Sequence, residues 1–377
     1  MDKRVILAVA GSGKTYHICN NLDPHKKNLI LAFTHENISN ILSELVKAYG
    51  HVPYLTSVMT FDAFKNRFLL KPYEYGILSN FVDDLPKGKG ITMINPPENR
   101  IKKGNRSVSN PLYINQNNIG HYRTNTGYYY CSRISKLLVK SKLGKENLIT
   151  HAAKQMNLFF DCVYIDEFQD YREYDFDLLM NFAKYIDNIL LVGDYYQHSV
   201  SGINNSGKPY SKNKSIIPYD DFLNQLSNNN FSIDEDSLNY SRRCSPNVCN
   251  FVQKKLGITI SGNEEKEGNI ISIASKEDAV KIIQNDDIIK LVYQKAATYP
   301  FNAVNWSYSK GDTINKTCVI LTKTTDFIMS EDKSSLSVSP IIINKLYVAL
   351  TRSTSDVYLI SSTLFKQVMH ELNIGRS

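Results

Sequence analysis

Short apolar runs recur along the chain at 5–10, 28–33, 162–165, 189–192, 318–321 and 357–360. Runs of this length and composition predict strands buried on both faces. Between them, at 38–48 and 176–185, apolar residues return every three to four positions, which predicts amphipathic helices. Strand alternating with helix is the pattern of α/β layers on a mostly parallel sheet. The alternation fails in two places. Residues 71–127 are Pro-, Gly-, Asn- and Lys-rich with weak periodicity and predict an irregular insertion, and the Asn- and Ser-rich stretch 201–230 predicts a loop between two halves.

A chain of 377 residues is long for one domain and comfortable for two or three. The net charge of +7 is a mild bias toward a polyanionic partner. Its distribution says more: residues 67–150 hold 14 Lys and Arg against 5 Asp and Glu, so the basicity belongs to one segment. Six cysteines are scattered without a CxxC pair or a zinc-type spacing with histidine, which points to a reducing compartment rather than a disulfide framework. No stretch approaches the ~20 apolar residues of a membrane span. The expected location is cytoplasmic, in a host cell if the source is a phage or virus, a source compatible with the Asn-, Lys-, Ile- and Tyr-rich composition.

The first apolar run leads straight into Gly11, Ser12, Gly13, Lys14 and Thr15, followed by a helical stretch. Strand, glycine-rich loop and helix in that order are what a phosphate-binding loop needs. Gly11 and Gly13 let backbone amides close around phosphate, Lys14 reaches the β and γ oxygens, and the Thr15 hydroxyl can ligate Mg²⁺. Asp166 and Glu167 follow another apolar run. A lone acidic pair at a strand end is more often a solvated turn. Beside a phosphate-binding loop it reads as a division of labour, with Asp166 on the metal and Glu167 on the attacking water. Gln197 has the reach to sense a γ-phosphate, and Arg352, just past an apolar stretch, can stabilise transferring charge from a second domain.

Together these segments resemble the superfamily 1 helicases, the UvrD/Rep-like branch in particular. The strings run in the family's order: AGSGKT at 10–15, LAFTHENISNIL at 31–42, VMTFDAF at 58–64, YIDEFQD at 164–170, LLVGDYYQ at 190–197, SRRCSPNV at 241–248, SYSKGDT at 307–313 and YVALTRS at 347–353. SRRCSPNV and VALTRS are also similar to the helicases of RNA viruses, which leaves RNA open as a track. The resemblance implies two RecA-like P-loop domains with ATP and Mg²⁺ between them and a single nucleic acid strand crossing both. On it, 1–66 and 151–235 form the first domain, 67–150 an inserted basic subdomain, and 236–377 the second domain. Arg243 and Arg352 are then the fingers from the second domain, and Lys310 and Gly311 belong to the coupling motif. Arg242 stands where the family stacks adenine with tyrosine, or Tyr240 does if the alignment slips by two. Phe33, Thr34, Thr60 and Phe64 fall at strand-contacting positions. Asp62 replaces the family's usual histidine, and after Gln197 the usual aromatic and arginine partners give way to His198 and Ser199.

In the basic segment, Arg100, Lys102, Lys103 and Arg106 precede Tyr113, Tyr122, Arg123, Tyr128, Tyr129, Tyr130 and Arg133. Cations interleaved with aromatics suit a single-stranded groove. The competing reading is a solvated basic loop whose tyrosines form a small core. Residues 136–145 predict a helix with one solvated basic face. The functional expectation is an ATP-dependent translocase or helicase on single-stranded nucleic acid, DNA before RNA. Its alternative is an ATPase switch that binds nucleic acid and signals to a protein partner without processive unwinding.

Overall fold

A computed structural model describes residues 3–81, 85–104, 106–198, 207–212, 215–330 and 338–371. Within them, six parallel strands build one sheet: β1 (Lys3–Leu7), β2 (Asn28–Ala32), β3 (Thr56–Thr60), β4 (Cys162–Asp166), β5 (Ile189–Gly193) and β6 (Ser232–Asp234), in the order β6-β1-β5-β4-β2-β3. Five more build a second parallel sheet: β7 (Ile270–Ile273), β8 (Ile288–Val292), β9 (Ala303–Asn305), β10 (Lys316–Ile320) and β11 (Val357–Ile360), in the order β7-β11-β10-β8-β9. The fold is mixed α/β, with the two parallel sheets of a pair of RecA-like layers.

All six apolar runs are strands, and β2, β4 and β5 are buried at every position. Burying both faces is what makes such strands read as unbroken apolar runs. The strands not foreseen lack that signal. In β3 no residue is fully buried, and β8 is interrupted by Lys290, a buried lysine whose ammonium donates to the Asn285 carbonyl just before the strand.

Helices follow the strand ends. α1 (Lys14–Asn21) leaves the loop after β1, and α2 (His35–Tyr49) is capped by the Thr34 hydroxyl and stopped by Gly50 in the left-handed conformation. In the second half, α3 (Pro246–Leu256) starts with a Ser245 cap and proline in its first turn, and α4 (Pro340–Leu350) is buried along most of its length.

Two expectations are corrected. Of the stretch taken as a loop, Tyr219–Ser227 is a helix that buries Phe222 and Leu226; residues 201–206 and 213–214 lie outside the described ones. Tyr219 and Leu223 pack beside them, so the helix is anchored at i, i+3, i+4 and i+7, a single short period inside a long polar sequence. The basic helix expected at 136–145 instead spans Cys131–Lys140, and the chain then turns at Gly144 into a short hairpin.

The basic segment is not a separate globule. Tyr122, Tyr129, Ile134, Leu137 and Leu138 belong to the same apolar cluster as Leu29, Val163 and Leu191 of the first sheet. At about 1.5–3 kcal/mol per large buried apolar side chain, these contacts tie the insertion to the helices that cover the first sheet.

Candidate active site

β1, β5 and β4 are neighbours, and their registers place Leu7 opposite Gly193 and Asp166 opposite Val192. The loop after β1, Asp194 after β5 and the acids that end β4 therefore emerge at one level. The carboxyl edge of a parallel sheet is where α/β folds form a ligand crevice. Gly11 and Gly13 have φ of 74° and 86°, a region that strains any other residue. At Gly11 a Cβ would also lie 2.7 Å from Cβ of Arg243, so the second half presses directly on the loop. The Ser12 hydroxyl is buried and has no hydrogen-bond partner, an orphan that a phosphate oxygen would satisfy.

Thr15 Oγ1 donates to Asp166 Oδ2 at 2.9 Å, so the two groups meet at one point beside the loop. Burial and the neighbouring Glu167 push the Asp166 carboxyl above its usual range, which favours a cation beside it. Hydroxyl and carboxylate oxygens are the donors a hard divalent ion takes alongside phosphate. Among the described residues, no cluster of three His, Cys, Asp or Glu offers a cage of its own. The residues fit a hard divalent cation held jointly with a phosphate.

Glu167 sits in the left-handed region at φ 52°, an unusual conformation for a residue with a side chain. Lys14 Nζ lies 3.4 Å from Oε1 and Lys310 Nζ 3.8 Å from Oε2, while Gln169 donates to Oε2. Burial alone would raise this carboxyl; the two lysines hold it below its usual range, and it stays ionised. Lys310 crosses from the second half and also meets both oxygens of Asp170 at 2.8 Å. Gly311 lines the cavity itself.

That cavity, of about 440 Å³, is walled by the glycine-rich loop, Glu167 and Gln197 on one side and by Arg242, Arg243 and Arg352 on the other. Arg352 is 1% exposed and spends two N–H groups on the carbonyls of Val348 and Ser309; Arg243 donates to Thr313 Oγ1 and the Thr351 carbonyl. Burial, then the adjacent Arg243 charge, lowers the Arg352 guanidinium to about 10. A buried and a half-buried cation side by side are favourable only when an anion joins them. The Arg242 guanidinium lies 4.9 Å over the Tyr16 ring. Tyr240 is 40% exposed, pairs with Ser261 and is not among the residues lining this cavity.

The residues expected to touch a strand divide. Phe33 is exposed, edge-on to Tyr171. Thr34 and Thr60 cap helices, each accepting from a backbone amide three residues on. Phe64 is corrected: it is wholly buried among Phe61, Phe68 and Phe182 and offers no face to a base. Asp62 and Asp175 flank the buried Lys65 ammonium at 2.7 and 3.0 Å, so the acid in place of histidine is neutralised. Arg100, Lys102, Lys103 and Arg106 stand on an exposed antiparallel hairpin, Arg100–Lys103 with Arg106–Ser109. Of the aromatics, Tyr122 and Tyr129 are core residues, and Arg123 and Arg133 are tied to carbonyls of Pro86, Pro97 and His121. The interleaved set thus loses Tyr122, Tyr129, Arg123 and Arg133, and keeps the hairpin with the exposed Tyr128 and the half-buried Tyr113 and Tyr130.

Two residues went unread in the sequence although both lie in quoted strings. Tyr347 of α4 accepts from the Ala10 amide at 2.7 Å and donates to Asp194 Oδ2 at 3.1 Å, and Asp194 Oδ2 also accepts from Gln197 at 2.7 Å. This chain of hydrogen bonds joins the second half to the loop. Burial pushes the Asp194 carboxyl up to about 6.

No protein-family model matches the chain, and no curated protein does. Solved structures do. An arterivirus nonstructural protein 10 helicase in complex with DNA aligns over 97% of this chain and 62% of its own at 12% identity and a TM-score of 0.46. A PRRSV helicase aligns over 96% of this chain and 52% of its own, at 12% identity and a TM-score of 0.44. The chain thus spans between half and two thirds of these helicases, and neither is described as UvrD- or Rep-like.

Proposed function

We propose that the protein is an ATP- and Mg²⁺-dependent motor on single-stranded nucleic acid, DNA before RNA, of the superfamily 1 type. One observation carries the reading. A single cavity joins a phosphate-binding loop and an acid pair from one sheet to the buried Arg352 and the half-buried Arg243 from the other. Closing the halves on a nucleoside triphosphate satisfies the orphaned Ser12 hydroxyl and both guanidiniums at once.

In this account Lys14 leaves Glu167 for the phosphates. Glu167, still ionised, orients a water and takes its proton as the oxygen attacks the γ-phosphorus and the bond to the β–γ bridging oxygen breaks. Arg243 and Arg352 neutralise the charge spreading over the transferred group, a contribution worth about 10³–10⁵ in rate for arginines in this role. Thr15 and Asp166 would hold the magnesium ion, which supplies further neutralisation of the phosphate oxygens. Gln197 and Asp194, linked to Tyr347, tie the state of the phosphates to the position of the second half. Phe33, Thr34, Thr60 and the basic hairpin are the proposed strand contacts, and Arg242 with Tyr16 the proposed platform for the base.

A second reading, an ATPase switch without processive unwinding, is favoured by His198. It follows Gln197, where the family carries partners for the strand, yet it is buried and stacked on Tyr210 at 3.9 Å. Phosphate release with and without single-stranded DNA and RNA, run beside a strand-displacement assay, tests both. Stimulation with displacement supports the motor, stimulation without displacement supports the switch, and no turnover overturns both.

A further inference from the structure

The cavity continues past the phosphate-binding residues along α2. Asn37, Asn40, Glu44 and Lys47 line it at positions i, i+3, i+7 and i+10, one stripe of the helix, while Ile41 and Leu45 on the adjacent stripe are buried in the core. A stripe of that span is about 15 Å long, enough to follow a nucleotide from phosphate to base. It is also held firmly. Cys19 Sγ donates to the Ile41 carbonyl, and Tyr49 Oη donates to the carbonyls of Cys19 and Leu22, locking α2 against the helix that begins at the phosphate-binding loop.

Across the cavity stand Tyr16 and Arg242, which present a ring and a guanidinium plane. Asn40 makes no side-chain hydrogen bond among the described residues, and the Glu44 carboxylate is held by Lys47 at 2.6 Å, a lysine that is 71% exposed. An exposed pair of this kind holds its members weakly. Both groups are therefore ready for a ligand edge.

Building on the nucleotide-binding reading above, we infer that α2 is the base-reading wall of the site and that Glu44 with Asn40 selects a purine with donors on its edge, guanine foremost. The carboxylate of Glu44 only accepts. Guanine offers it two adjacent donors, N1–H and an N2–H, in the bidentate geometry that makes charge-assisted bonds strong. Adenine offers a single N6–H to a carboxylate and uses the Asn40 amide for its N1. Uracil presents N3–H between two carbonyl oxygens that repel the carboxylate, and its smaller ring covers less of Tyr16 and Arg242.

The test is KM for ATP, GTP, ITP and UTP with wild type, Glu44→Gln and Asn40→Ala, together with binding of fluorescent mant-GTP and mant-ATP to the same proteins. Wild type should rank GTP below or equal to ATP and both well below UTP. Glu44→Gln should raise the GTP-to-ATP ratio of KM about tenfold, the scale of one charge-assisted hydrogen bond. ITP, which lacks the 2-amino group, should respond less than GTP. Equal KM values for all four nucleotides, or a Glu44→Gln shift of the same size for each, would overturn the inference. If no nucleotide is hydrolysed, the catalytic reading fails, and the mant-nucleotide affinities still decide the base preference by the same ratios.

Discussion

Tyr347→Phe keeps the aromatic ring against Tyr196 and removes one oxygen. That oxygen accepts from the fully buried Ala10 amide and donates to the buried Asp194 carboxylate. Leaving the Ala10 N–H buried without an acceptor costs about 1–3 kcal/mol, and a lost hydrogen bond to an ionised group about 1.5–3 kcal/mol. Water cannot reach either group without opening the contact between the halves, so the sum, about 2.5–6 kcal/mol, falls on that contact. Trp306 is the only tryptophan in the sequence; it is buried in the second half, where its indole N–H donates to the Leu291 carbonyl. Its fluorescence in urea therefore follows that half selectively. With a urea slope of about 3 kcal/mol/M, the midpoint should drop by roughly 1–2 M. A Tyr347→Phe midpoint within about 0.2 M of wild type would refute the idea that this hydroxyl ties the loop to the second half.

Other expectations follow from the same geometry. Asp194 is raised to about 6 in the fold from an ordinary 3.8, so between about pH 4 and 6 the folded state binds more protons than the unfolded one. Its contribution to stability is present below that window and lost as pH rises through it. The stability difference between wild type and Asp194→Asn, measured by urea titration, should thus fall from pH 4 to pH 6; a flat or rising difference would contradict the assignment. Replacing Arg100, Lys102, Lys103 and Arg106 with alanine should weaken single-strand binding and flatten its log–log salt dependence by up to about 3, near 0.7 per phosphate contact released. An unchanged slope would return the hairpin to a merely solvated role.

Much of the fold was legible because parallel strands buried on both faces read as unbroken apolar runs. β1, β2, β4, β5, β10 and β11 did so. β8 did not, because Lys290 breaks its run and is accommodated by a carbonyl that only the folded chain supplies. The site was legible where chemistry is contiguous: Gly11 through Thr15, then Asp166 and Glu167. It was illegible where partners lie far apart. Tyr347 and Ala10 are 337 positions apart, and nothing local in either segment announces their hydrogen bond. Phe64 shows the converse limit. An aromatic within a strand-contacting string looks available, yet which way its helix turns is decided by packing against Phe68 and Phe182.

The central claim is that Glu167 activates water on a nucleotide held between the two halves, and phosphate release by Glu167→Gln tests it most directly. With saturating ATP, Mg²⁺ and single-stranded DNA, wild type should turn over and the variant should not. Nucleotide affinity, measured on the same samples by mant-ATP, should be retained, since the loop and both arginines are intact. Turnover in Glu167→Gln close to the wild-type rate would contradict the account.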